Sequence, residues 1–326
     1  MEENNCNLMW IPLLVVLLAL LFLYRWDRQS KILENLSDKY VLITGCDSGF
    51  GNLLAKQLDQ RGMRVLAACL TEKGAEDLKK ETSSRLQTVI LDVTDSQSVS
   101  YVAKWVSNCV GNSGLWGLVN NAGIGFPNGP NEWQKREDFA KILDVNVLGL
   151  VDVTINVLPF IRRARGRIVN VSSCAGRLAV IGGGYCPSKF AVQAFSDSLR
   201  RELQEFGVKV SIIEPGAFLT PMASLEHHNE YLKHLWEKAS AEVKKSYGEQ
   251  YYQQYIKNIQ ELHKSINPRL NEVTDCMEHA LTAIYPWTRY SAGWDCKLFY
   301  IPLSYLPTLL SDYVLWRSAP KPACRA

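Results

Sequence analysis

The chain has 326 residues, 47% hydrophobic and 21% charged, with a formal net charge of +3. That balance excludes a disordered chain and gives no electrostatic ground for nucleic-acid binding. The nine cysteines are scattered and form no C-x-x-C pair, so neither a disulfide framework nor a zinc ribbon is expected, and a reducing compartment fits better. The five histidines form no H-E-x-x-H pattern, and no metal is expected.

Leu8 to Tyr24 carries no charge. A spanning helix needs about 17–25 residues, so this run is at the short end and suits a thinner bilayer such as that of the endoplasmic reticulum. Pro12 is expected in the first helical turn, where proline is tolerated. A cleaved signal peptide is the rival reading. Acidic Glu2 and Glu3 precede the run, and Tyr24-Arg25-Trp26 follows it with no small-residue cleavage site, which favours an anchor. A buried core helix is the third reading, disfavoured ahead of a complete domain. Arg25, Arg28 and Lys31 follow the run, and the positive-inside tendency places the main domain on the cytosolic side. Residues 1–30 are therefore read as anchor and flank, and 31–326 as one domain.

From Tyr40 onward short apolar runs alternate with helix-length stretches. Strands are expected at Tyr40–Thr44, Arg64–Leu70, Leu86–Val93, Gly117–Asn120, Gly166–Ser172 and Val208–Ile213, with a last one at Lys297–Pro302. Asn52–Arg61, Ser96–Val110 and Tyr185–Phe206 read as helices. Apolar strands alternating with helices imply an α/β fold, a parallel sheet covered on both faces. Residues 221–268 break the rhythm. They read as a helical insertion that either covers a substrate or forms an ordinary solvated pair. Residues 297–316 are apolar and aromatic, and either meet a membrane, line an entrance or pack on the core.

Tyr40–Thr44 runs into Gly45-Cys-Asp-Ser-Gly-Phe-Gly51 and then a helix. Phosphates need close backbone approach and unpaired N–H donors at a helix N-terminus. Glycines at 45, 49 and 51 allow both, where a plain strand-to-helix turn needs only one.

At this point the sequence resembles the short-chain dehydrogenase/reductase family. The turn matches its cofactor motif, and Asn120-Asn121-Ala122-Gly123 ends the fourth strand. Asn146 lies in Asp-Val-Asn-Val, and Ser172-Ser173 closes the fifth strand. Tyr185-Cys-Pro-Ser-Lys189 gives Tyr-x-x-x-Lys, and Pro215-Gly216-x-x-x-Thr220 closes the sixth strand. The match runs from about Lys39 to Thr220 in family order. Gly-Leu-Trp-Gly-Leu-Val-Asn-Asn-Ala-Gly and Gly-Gly-Gly-Tyr-Cys are similar to the retinol and hydroxysteroid dehydrogenase branch. The resemblance implies a Rossmann-type doubly wound sheet. It also implies a microsomal membrane enzyme oxidising retinol or 3α/17β-hydroxysteroids, mostly with NAD.

The resemblance implies roles for individual residues. Tyr185 would be the general base. Its ordinary pKa of about 10 makes it a poor one, and Lys189, one helical turn on, would favour the phenolate. Lys189 would also bond the nicotinamide ribose. Ser173, preferred over Ser172, would hold the substrate oxygen. Asn146 would hold a water joining Lys189 to solvent. Gly45, Ser48, Gly49, Phe50, Gly51, Asn120, Ala122 and Gly123 would line the cofactor cleft with Tyr185 and Lys189. Pro215, Gly216 and Thr220 would shape its nicotinamide end. Asp92 would contact adenine, or else cap a strand end. Taken alone, each has a bland reading as a surface pair, a turn serine or a helix bend; their joint order carries the assignment.

NAD is preferred over NADP. The second strand's end has no acid before Glu72, but Asp47 in the turn would repel a 2′-phosphate, while Lys73 argues weakly the other way. A lipophilic alcohol and a membrane are the expected partners, with a homo-oligomer left open. A cofactor-binding scaffold without turnover and a steroid epimerase on the same fold are the alternatives.

Overall fold

The computed structural model describes residues 3–324. It contains a seven-stranded parallel sheet. The strands are β1 (Tyr40–Thr44), β2 (Arg64–Cys69), β3 (Gln87–Ile90), β4 (Gly117–Asn120), β5 (Arg167–Val171), β6 (Lys209–Pro215) and β7 (Arg289–Ala292). Their order is β3-β2-β1-β4-β5-β6-β7, so the winding reverses between β1 and β4. Ligands of such sheets bind outside the carboxyl ends of the strands at that reversal.

Strand alternation builds the two layers. Val41 and Ile43 point to one face, into a cluster with Leu54 and Leu58 of α2 (Gly49–Gln60), Leu78 of α3 (Glu72–Lys80), and Val273 and Met277 of α11 (Asn271–Thr282). Leu42 between them points to the other face. There it meets Val99, Val102 and Val106 of α4 (Ser96–Val110), Val153 and Val157 of α6 (Leu150–Ala164), and Leu199 of α7 (Tyr185–Glu202). Each fully buried aliphatic side chain contributes about 1.5–3 kcal/mol. Helix α5 (Arg136–Leu143) joins α6 through a widened π turn, Asp144–Gly149. This joined helix is long and apolar enough to cross a membrane, but its apolar stripe is core.

The expected strands and helices of residues 40–213 are present within a few residues. Helix α2 starts at Gly49 rather than Asn52, which puts Gly49 and Gly51 in its first turn. The expected strand Lys297–Pro302 is absent. That stretch is helical: a π turn over Cys296–Tyr300 runs into α12 (Ile301–Ser304). The seventh strand is Arg289–Ala292 instead. Its Tyr290 and Ala292 are buried while Arg289 and Ser291 are less so, an alternation too short to stand out in the sequence. Four or five consecutive apolar residues fit strand and helix equally well.

Residues 221–268 contain three helices: α8 (Leu225–Lys238), α9 (Ala241–Tyr247) and α10 (Glu249–Lys264). They have their own small core. Trp133, from the loop after β4, packs among Leu232, Leu235, Trp236 and Tyr252, with Trp236 and Tyr252 stacked at 5.3 Å.

Helix α1 spans Glu3–Ser30, so Pro12 lies inside it and not in its first turn. The helix continues through the polar residues ahead of the apolar run. Residues 10–24 are exposed throughout, which excludes the core-helix reading. The chain at the end of α1 is tied to α11 and the loop after it. The Lys31 carbonyl accepts from Ile284 N at 2.9 Å, Leu33 N donates to Thr282 O at 2.8 Å, and Arg28 lies 4.1 Å over the Tyr285 ring. At the other terminus α13 (Thr308–Ser318) leaves Leu309, Tyr313 and Trp316 exposed, so the 297–316 segment is not wholly packed away.

Candidate active site

The glycine turn closes over the end of β1 through tight backbone approaches. Gly45 adopts φ +69° and Gly49 φ +62°, a region that favours glycine. A Cβ on Gly45 would stand 2.9 Å from the Ala122 Cα, and one on Gly51 would strike the Gly45 carbonyl and the Asn121 amide. Asn121 locks this arrangement by donating to the carbonyls of Thr44 at 2.9 Å and Gly45 at 3.1 Å. The Thr44 hydroxyl accepts from the N–H groups of Asn121 and Ala122. Ser48 is the N-cap residue of α2 but makes no side-chain cap bond, so the helix start keeps free N–H donors. Phe50 packs edge-on against Phe218, ring centres 5.7 Å apart. Gly49 faces Thr220, whose Cβ lies 3.7 Å from the position a Gly49 Cβ would take. The residues present therefore fit a dinucleotide: a cradle that any side chain would fill, at a free helix N-terminus, at the reversal of strand order.

The glycine turn brings its own acid, Asp47, to the end of β2. The Asp47 carboxylate reaches across to accept from Leu70 N, Thr71 N and the Thr71 hydroxyl at 2.7–2.9 Å. Gly74 makes room for it, since a Cβ there would lie 2.5 Å from Asp47 Oδ1.

The catalytic candidates meet at the ends of β5 and β6. Ser172 and Ser173 turn apart: Ser172 donates to the Lys189 carbonyl at 3.0 Å, and Ser173 donates to the Pro215 carbonyl at 3.3 Å. Ser173 Oγ also accepts from Ala175 N at 3.1 Å. Tyr185 begins α7 and Lys189 follows one turn later, its Nζ 5.6 Å from the tyrosine ring centre. Pro187 falls in the first turn of α7, where it breaks no helical bond. Lys189 is buried and donates to the Val171 carbonyl at 3.0 Å. Burial pushes its ammonium down to about 8. Burial pushes the Tyr185 phenol up, while a hydrogen bond with Ser173 works the other way.

Asn146 sits in the π turn between α5 and α6. Its Oδ1 accepts from Ile124 N at 2.8 Å, and its Nδ2 donates to the Ile124 carbonyl at 2.9 Å and the Ser188 hydroxyl at 3.0 Å. Gly123 faces both Asn146 and Lys189: a Cβ there would be 3.1 Å from Asn146 Oδ1 and 3.8 Å from Lys189 Nζ. Widened turns of this kind occur often at functional sites.

Two candidates stand apart from this group. The Asn120 side chain turns into the core, donating to Thr154 and to Asn170 Oδ1 at 2.8 Å, so only its backbone lies at the cleft side of β4. Asp92 lies past the end of β3, exposed, with its carboxylate taken by the N–H and hydroxyl of Thr94. Thr44, Asn121 and Ser188 were missed as site residues, although each adjoins or lies within a motif.

The short chain dehydrogenase family model matches residues 39–230, which hold every candidate above. The chain belongs to the short-chain dehydrogenase family. It is an oxidoreductase with a nicotinamide cofactor. Retinol dehydrogenase 7 of Rattus norvegicus is 59% identical over 315 residues, covering 97% of this chain and 99% of its own. The 17-beta-hydroxysteroid dehydrogenase type 6 of Homo sapiens is 56% identical over 315 residues, with the same coverage. A solved short-chain dehydrogenase from Streptomyces avermitilis superimposes with a TM-score of 0.67 at 26% identity, covering 86% of this chain and 96% of its own.

Proposed function

We propose that this short-chain dehydrogenase oxidises a lipophilic alcohol, retinol or a hydroxysteroid, with NAD, at a membrane of the endoplasmic reticulum. The observation that carries the chemistry is the meeting of Ser173, Tyr185 and Lys189 at the ends of β5 and β6. The substrate classes rest on relatives named for retinol and for 17-beta-hydroxysteroids. Exposed α1 supports the anchor.

Alcohol oxidation removes a proton from oxygen and a hydride from carbon. A nicotinamide cofactor held in this cleft would supply the acceptor for the hydride of the carbinol carbon. Tyr185 Oη takes the hydroxyl proton. A phenol whose pKa is raised by burial stays protonated and can take no proton until positive charge favours its phenolate, and the Lys189 ammonium, still charged below about pH 8, supplies that charge. Ser173 Oγ holds the substrate oxygen and, turning its hydrogen away from the Pro215 carbonyl, donates to it as negative charge develops. Asn146 bonds Ser188, one residue from Lys189, and spans to Ile124, which keeps the helix open beside Lys189. Asn146 would hold the water that joins Lys189 to solvent.

Gly45, Ser48, Gly49, Phe50 and Gly51 cradle the cofactor phosphates. Ala122, Gly123, Pro215, Gly216 and Thr220 line the cleft toward its nicotinamide end, and the Asn120 backbone and Asp92 lie toward the adenine side. NAD is favoured because Asp47 already fills the β2-end donors that a 2′-phosphate would need. The α8–α10 insertion covers the substrate.

The deciding experiment uses membranes carrying the full chain, with all-trans-retinol and a hydroxysteroid offered separately with NAD or NADP. The expected result is turnover that Tyr185→Phe abolishes, by about 10²-fold or more, while cofactor affinity stays. Full activity in Tyr185→Phe sinks the mechanism. Cofactor binding without turnover of any pairing favours a non-catalytic scaffold.

A further inference from the structure

The turn after β6 is held from outside by a segment beyond residues 39–230, the stretch that the family model matches. Asp295 Oδ2 accepts from Ala217 N at 2.7 Å. The next residue, Cys296, donates its thiol to the Glu214 carbonyl at 3.1 Å. The Ala292 carbonyl accepts from Gly216 N at 2.9 Å. Backbone groups of Glu214, Gly216 and Ala217 thus all end on one short stretch, residues 292–296. The carbonyl enclosed between them, that of Pro215, is the one that accepts from the Ser173 hydroxyl at 3.3 Å.

The fit around Asp295 is close. A Cβ on Gly216 would run into its carboxylate, and one on Gly293 would stand 2.6 Å from its Oδ1. Gly293 also adopts φ +88°. Two glycines therefore clear space for one carboxylate. A charged acceptor on a backbone N–H bonds about twice as strongly as a neutral one, so Asp295 is the firmest of the three ties.

We infer that Asp295 is a positioning residue of the active site. By fixing Ala217 N it sets the Pro215 carbonyl that aims Ser173, and it sets the course of the chain that brings Thr220 opposite Gly49. It touches none of the reacting atoms and works through the Pro215–Thr220 turn. This inference rests on the roles proposed above for Ser173 and Thr220.

The test is a double-mutant cycle in the full chain, measured in membranes by kcat and by cofactor affinity. Asp295→Ala is expected to lower kcat about tenfold and weaken cofactor binding about fivefold, the scale of a reacting group displaced by less than an ångström. Asp295→Asn keeps a carbonyl acceptor and is expected within about threefold of the parent. Gly216→Ala should reproduce the Asp295→Ala loss, yet add less than about twofold once the carboxylate is gone. Unchanged kcat and affinity in Asp295→Ala overturn the assignment, as do independent effects in the cycle. If Asp295→Ala fails to accumulate, the other single variants decide: an Asn variant as impaired as Gly216→Ala overturns it. Tyr185→Phe, assayed alongside, reports on the proposed chemistry alone, so the two failures are distinguishable.

Discussion

Asp47 and Thr71 are joined twice: the carboxylate takes the Thr71 backbone N–H at 2.9 Å and its hydroxyl at 2.7 Å. With Leu70 N at 2.8 Å, this uses the donors at the end of β2, just where α3 begins. A 2′-phosphate would have to displace the carboxylate from those donors and face its charge. Two unit charges about 4 Å apart interact by about 1–4 kcal/mol near a protein surface. Asp47→Asn keeps one acceptor oxygen and removes the charge. The expected outcome is a fall of about tenfold in the NAD-over-NADP ratio of kcat/KM, within that energy range. An unchanged ratio, measured with one alcohol substrate, rejects Asp47 as the discriminator.

Asn121 ties β4 to the glycine turn. Its amide bonds the carbonyls of Thr44 and Gly45, and its N–H is held by Thr44. Asn121→Ala removes two hydrogen bonds worth about 1 kcal/mol each and frees the turn to drift from its cradle shape. Cofactor dissociation constants should rise about tenfold or more, and the thermal midpoint should fall. Titration of cofactor fluorescence checks the first. A variant that binds as tightly as the parent shows that the three glycines hold the cradle without help.

The sequence carried the sheet and the site to different depths. Motif residues at strand ends were legible because strand, glycine turn and helix follow one another within a few residues. Asp47 was visible as a charge but not as the acid of β2, since the contact spans 24 positions in the chain. Asn120 read as a cleft residue, yet its side chain serves a buried chain of bonds to Asn170 and on to Ser196, a choice that strand direction makes and a motif does not show. Asp295 gave no signal at all. Its partner Ala217 lies 78 residues earlier, and an acid beside tryptophan in an apolar stretch looks like any solvated residue. The failed strand at 297–302 has the same origin: a short apolar run has no period by which to choose between strand and helix.

Helix α1 offers a direct test of the anchor. Every side chain from Trp10 to Tyr24 is exposed, an apolar surface far larger than isolated exposed residues present. Beyond Ser30 the chain turns back and bonds α11 and the loop after it through Lys31 and Leu33. Removal of residues 1–24 leaves those bonds in place. The shortened protein should be extracted from membranes by alkaline carbonate, while the full chain stays with the pellet. Retention of the shortened chain would shift the membrane contact to the exposed Leu309, Tyr313 and Trp316 of α13.

His228 is expected to set the acid limit of the insertion. It lies on α8, edge-on to Phe126 with ring centres 4.7 Å apart, and its Nε2 is buried with no hydrogen-bond partner among the described residues. Burial lowers its pKa from 6.5 to about 4. Between those values the unfolded chain binds the proton and the folded one does not. Stability from the neutral ring is therefore complete above pH 6.5 and is lost as pH falls toward 4. His228→Leu cannot take up that proton. Its thermal midpoint should fall less steeply than the parent's across this window, and at neutral pH it should match or exceed the parent, because a buried unpaired nitrogen has been removed. The measurement is the midpoint against pH for both proteins. Parallel slopes would assign the acid sensitivity to carboxylates elsewhere and leave His228 as packing alone.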